Sequence, residues 1–129
     1  MRAIDTNIVI RLIVRDEPGQ LAIAENFMQM PYMLLPTVIM EVIWVLESRY
    51  RLAPKDVAER LAPLLGNRHA FIVSVGSVEW ALAQYAQGAD FADALHLALA
   101  AEVQATAFTT FDKGLSKIST PPIPIETLA

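Results

Sequence analysis

The chain has 129 residues, 54% of them hydrophobic, with a net charge of −4 and no cysteine. That length suits one domain burying about two-thirds of the surface its unfolded form exposes, and the missing cysteine excludes both a disulfide framework and thiolate chemistry. No apolar run reaches the roughly 18 residues of a membrane span, and Asp5 interrupts any signal-peptide core, so a cytoplasmic protein without membrane contact is expected. A mean hydropathy of +0.39 is high for a soluble monomer and anticipates either a rich core or a protein partner.

Residues 1–5 read as a short central strand ending in an acid, and 7–16 as a helix with Thr6 or Asn7 as its N-cap. Pro18 opens a second helix running through Met30. Residues 32–36 form a brief buried strand. Residues 37–51 form a long helix, and 53–66 another that Gly66 stops. The β-branched run 70–75 is a strand. Helices follow at 77–88 and 90–104, then a strand at 105–110. Segment 121–128 holds prolines that exclude it from a sheet centre. Strands alternating with helices predict a parallel sheet covered by helices: a three-layer α/β domain over 1–129, its short central sheet mostly parallel.

In such a sheet ligands bind beyond the carboxyl ends of the strands, and both Asp5 and Asp112 lie just past predicted strand ends. Asp90 and Asp93, at i and i+3, share a face in the first turn of their helix. Glu41 stands among Val38, Ile39, Met40, Val42, Ile43 and Trp44. An ionised carboxylate in such surroundings needs a partner or a metal. A hard cation with oxygen ligands, Mg²⁺ or Mn²⁺, would satisfy all these acids together, whereas the residue types disfavour zinc. The acidic net charge argues only weakly against a nucleic-acid partner: setting five clustered acids aside raises −4 to +1.

Plainer roles stand beside each of these. Asp90 serves as an N-cap, Asp5 and Asp112 as turn formers, and Glu41 as an ordinary helix-surface residue. His96 continues the spacing of Asp90 and Asp93, and a hydrogen-bonded core histidine is the simpler reading; His69 receives no role. Arg11 and Arg15 follow Asp5 at i and i+4, while Lys113 and Lys117 flank Asp112. All four are candidates for holding a nucleic-acid backbone, with solvated charge the competing reading, above all for Arg15 and Lys117.

Taken in order, "DTNIVIRL", the lone acid of "PTVIMEVIWVL", "DFADALHLALA" and "TTFDKGL" resemble the four acidic motifs of PIN domains, and the closest branch looks like VapC/FitB-type toxins of bacterial toxin–antitoxin modules. The resemblance implies a PIN-like fold and an acidic quartet of Asp5, Glu41, Asp93 and Asp112 around Mg²⁺, with Asp5, Asp93 and Asp112 as metal ligands. Asp90 matches a frequent extra acid, Thr110 a supporting hydroxyl, and Asn7 a supporting polar residue. It further implies a metal-dependent endoribonuclease, a homodimer, and an antitoxin that blocks the acidic pocket. Trp44, Trp80 and Tyr85 are candidates for those contacts, with core packing the expected fate of each. Two other readings remain open at this point. One is a non-catalytic interaction module on the same fold. The other is an aspartate-based phosphate-handling α/β domain, disfavoured because position 7 is Asn where a second aspartate would be needed.

Overall fold

Helices opening on proline dominate the first half of the chain. In the computed structural model, which describes residues 1–129, the protein is a mixed α/β chain of six α-helices and five short strands. It forms two compact units, Met1–Val73 and Ser74–Ala129.

The first unit runs β1 (Arg2–Ala3), α1 (Thr6–Val14), α2 (Pro18–Phe27), β2 (Tyr32–Leu34), α3 (Pro36–Ser48), α4 (Pro54–Leu65) and β3 (Ala70–Ile72). Pro18, Pro36 and Pro54 each occupy the first helical turn, where the missing N–H would have had no helical partner. The three strands are parallel in the order β1-β2-β3, with Ala3 opposite Met33 and Leu34 opposite Ile72. The expected central strand at the N-terminus is therefore an edge strand, both its residues exposed, and β2 holds the centre with Tyr32 and Leu34 fully buried. The phenol of Tyr32 donates to the Leu64 carbonyl at 3.0 Å, and burial pushes its pKa up to about 12.

Helix α3 buries Ile39, Val42, Ile43 and Leu46, the i, i+3, i+4, i+7 stripe of a core-facing helix. Glu41 and Trp44 lie off that stripe and are exposed, Trp44 to 66%. The inference that apolar sequence neighbours bury Glu41 is thus corrected: on a helix, adjacent residues point to different faces. The expectation that Trp44 packs in the core fails for the same reason. Helix α2 stops at Phe27, short of Met30. Gly66 does close α4, with a φ of −85° and not in the left-handed conformation expected of a glycine stop.

The second unit runs α5 (Val75–Ala86), α6 (Phe91–Glu102), β4 (Phe108–Thr110), a 3₁₀ turn (Lys113–Lys117) and β5 (Ile125–Thr127). The strand read at 70–75 ends at Ile72 because Ser74 takes a left-handed φ of 54°, and helix begins at the next residue. Val78, Ala81 and Tyr85 of α5 are buried with Phe91, Ala94 and Leu95 of α6, and Tyr85 meets Phe91 edge to face at 6.1 Å. Gly88, with a φ of +105°, supplies the turn between them. Strands β4 and β5 form a two-stranded parallel sheet, Phe108 opposite Ile125 and Thr110 opposite Thr127. No helix is long and apolar enough to cross a membrane.

Candidate active site

Each acid in the motifs is placed by a local backbone rule. Asp5 is the N-cap of α1, the position anticipated for Thr6 or Asn7. Its backbone is extended, and its Oδ1 accepts the Thr6 N–H at 2.7 Å. Thr6, only 5% exposed, turns its hydroxyl across the unit and donates to Oε1 of Glu41. One residue pair thus ties the start of α1 to the second turn of α3 and brings Glu41 beside the residue next to Asp5. Thr6 was expected only as a candidate N-cap, not as the partner of Glu41.

In the second unit Asp90 caps α6, its Oδ1 accepting the Asp93 N–H at 2.9 Å, which is the plain role set out for it. Asp93 occupies the first turn, where a carboxylate favours the positive end of the helix dipole. Asp112 caps the 3₁₀ turn, accepting from the Gly114 N–H at 2.8 Å, and its own N–H donates to Thr110 Oγ1 at 2.9 Å. The Thr110 hydroxyl therefore supports Asp112 through the backbone. Gly114 is a residue the motifs did not flag: a Cβ there would stand 3.1 Å from Asp112 Oδ1, so only glycine leaves that carboxylate in place without crowding.

Asp90, Asp93 and Asp112 line one cavity of about 510 Å³. The crowding is felt at Asp93, whose carboxyl is pushed above its ordinary range, first by partial burial and then by repulsion from Asp90 and Asp112; His96 opposes the rise. His96 is exposed, its ring stacked on Phe108 at 6.4 Å, and it is not the core histidine that its spacing suggested. Lys117 lines this cavity, whereas Lys113 does not, the reverse of the weight given to the two lysines. Gln84 of α5 and its C-cap residue Gln87 also line the cavity.

Arg11 and Arg15 do not act as a pair. Arg11 lines an apolar groove with Asn7, Ile23 and Phe27 and pairs with Asp16 at 3.5 Å. Arg15 is the left-handed C-cap of α1, at a φ of 61°, and faces Glu25 at 3.8 Å around a different cavity. Asn7 thus borders the groove together with Arg11.

Within neither unit do three histidine, aspartate or glutamate side chains draw together into a ready ligand group for a metal. The donor chemistry nevertheless suits a hard divalent ion: every candidate ligand is a carboxylate oxygen, and the repulsion that lifts Asp93 is the kind a cation relieves. Among curated proteins none matches the chain. The PIN domain family matches it over residues 3–121. Its parallel three-stranded sheet among helices and its acids at element starts agree with that assignment. The chain belongs to the PIN domain family, a nuclease-type fold whose members typically bind a divalent metal and are generally metal-dependent nucleases.

Proposed function

We propose that this chain is a Mg²⁺-dependent endoribonuclease acting in the cytoplasm as the toxin of a toxin–antitoxin module, with Asp5, Glu41, Asp93 and Asp112 as its catalytic acids. The observation that carries the reading is the cavity lined by Asp90, Asp93 and Asp112, with Asp93 pushed up by burial and by its neighbours. A divalent ion, Mg²⁺ or Mn²⁺, held by Asp5, Asp93 and Asp112 would supply activation of water and neutralisation of charge on the phosphate. The chain's own contribution is positional. Thr6 holds the carboxylate of Glu41, the Gly114 N–H holds that of Asp112 while Thr110 holds the Asp112 backbone, and Asp93 sits in the first turn of α6. One of the four acids would take the proton from the attacking water. Because water is the nucleophile, the substrate's 2′-hydroxyl is not consumed. Arg11, Arg15 and Lys113 remain candidates for backbone phosphates elsewhere along the strand.

The exposed apolar residues support the partners proposed with this activity, a second copy of the chain and a small antitoxin: Ile23 is 73% exposed, and Trp44 and Phe111 are comparably open. The test is direct. Purified protein, free of antitoxin, is incubated with RNA in Mg²⁺, then with chelator, alongside Asp93→Asn. Cleavage by wild type in Mg²⁺ alone is the expected result. Equal cleavage by wild type and variant would remove the nuclease reading and leave a non-catalytic interaction module.

A further inference from the structure

The cavity that holds Asp90, Asp93 and Asp112 has a second wall of different chemistry. Gln84 lies in the last turn of α5 and Gln87 is its C-cap residue, and both line the cavity. Neither carboxamide has a hydrogen-bond partner within the protein, although the backbone carbonyl of Gln84 accepts from both Gln87 and Ala89. Lys117 comes from the far end of the 3₁₀ turn that Asp112 opens, roughly 10 Å along the chain at about 2 Å per residue. Lys117 lines the same cavity, and its ammonium pairs with none of the three carboxylates.

A cavity of about 510 Å³ falls in the range that encloses a small ligand such as a nucleotide unit. Its lining separates what a nucleotide separates. Carboxylates suit a metal and the reacting phosphate, an ammonium suits a neighbouring phosphate, and carboxamides, each with donors and an acceptor, suit the edge of an unstacked base. We propose that Gln84 and Gln87 determine base specificity beside the scissile bond, and that Lys117 holds an adjacent backbone phosphate. This rests on the nuclease reading and names which wall of its cavity selects the RNA. The assignment distinguishes the two residue types. A carboxamide paired with a base edge discriminates between bases, whereas a phosphate contact is blind to sequence.

Two measurements test it separately from turnover. Asp93→Asn protein is used to select binders from a randomised single-stranded RNA library in Mg²⁺, with and without Gln84→Leu and Gln87→Leu. Wild-type protein and the same glutamine variants are profiled for cleavage of that library, and melting curves establish that each variant folds. Enrichment of one base at one position is expected, reduced about 5- to 150-fold by a glutamine replacement, the range a lost bidentate base contact implies. Lys117→Gln is expected to weaken binding uniformly across sequences and to lower the salt slope of log K by about one, with Lys117→Arg restoring it. A library without any base preference overturns the assignment, as does a preference that survives both glutamine changes, or a Lys117→Gln variant with an unaltered salt slope. If binding is base-selective and glutamine-dependent but wild type does not cleave, the nuclease reading fails while the recognition wall stands.

Discussion

Asp93 carries the strongest electrostatic tension in the second unit, because burial and two neighbouring carboxylates all oppose its ionisation. A raised carboxyl pKa means that the folded state holds the proton more tightly than the unfolded chain does. The stabilisation from that proton is fully present below the ordinary aspartate range and is lost as pH rises through the raised value. Asp93→Asn, which fixes the neutral form, is therefore expected to melt at the same temperature as wild type or higher near pH 7. Its RNA cleavage should fall by more than about 100-fold, beyond the loss typical of an outer-shell partner. A lower melting temperature in the variant would show that the charge is compensated in the fold. Thr6 makes the opposite case. Thr6→Val removes the only hydrogen bond seen to Glu41 while keeping the shape of a buried side chain, so denaturant unfolding should report a loss of about 1–2 kcal/mol. At this scale the acids were legible, since Asp90 and Asp93 announce a capped helix start and Asp112 a turn. The surroundings of Glu41 were not, because sequence neighbours do not reveal which helix face a residue occupies, nor that a threonine thirty-five positions earlier reaches it.

Among the elements, α3 shows how position on one helix sets the consequence of a change. Leu46 is fully buried, and Leu46→Ala should destabilise by about 2–5 kcal/mol through lost burial and the cavity left behind. Trp44, two residues earlier and 66% exposed, should change stability little on replacement by Ala, and a purified variant that remains fully folded by circular dichroism checks this. The start of α2 was legible from Pro18, whereas Pro36, expected to end a strand, instead opens α3. Strand ends were less so. The run 70–75 carries Phe71 and the β-branched Ile72, Val73 and Val75, yet the left-handed backbone at Ser74 converts its end to helix, and that conformation leaves no mark in composition. Nor could periodicity say that β1 lies at an edge: strand order is set by pairing across residues distant in sequence.

For the whole molecule, the family assignment and the acid-lined cavity converge on cation linkage. A ligand that binds only the folded state stabilises it by about 2.7 kcal/mol at one hundred times its Kd. Titrating Mg²⁺ should therefore raise the melting temperature by several degrees and chelator should reverse the shift, while Asp112→Asn should blunt it. Absence of any shift at millimolar Mg²⁺ would count against a divalent centre. The global charge gave little guidance here, because acids gathered at one place say nothing of the remaining surface. The pairing of β4 with β5 carries one practical corollary. Asp112 is steadied by the hydroxyl of Thr110, and the Thr110 carbonyl is in turn held by the Leu128 N–H at 2.8 Å. Leu128, just past β5, thus acts as a brace for a carboxylate sixteen positions upstream of it. Deleting residues 125–128 should therefore lower RNA cleavage without touching any motif, which a comparison with the intact chain checks.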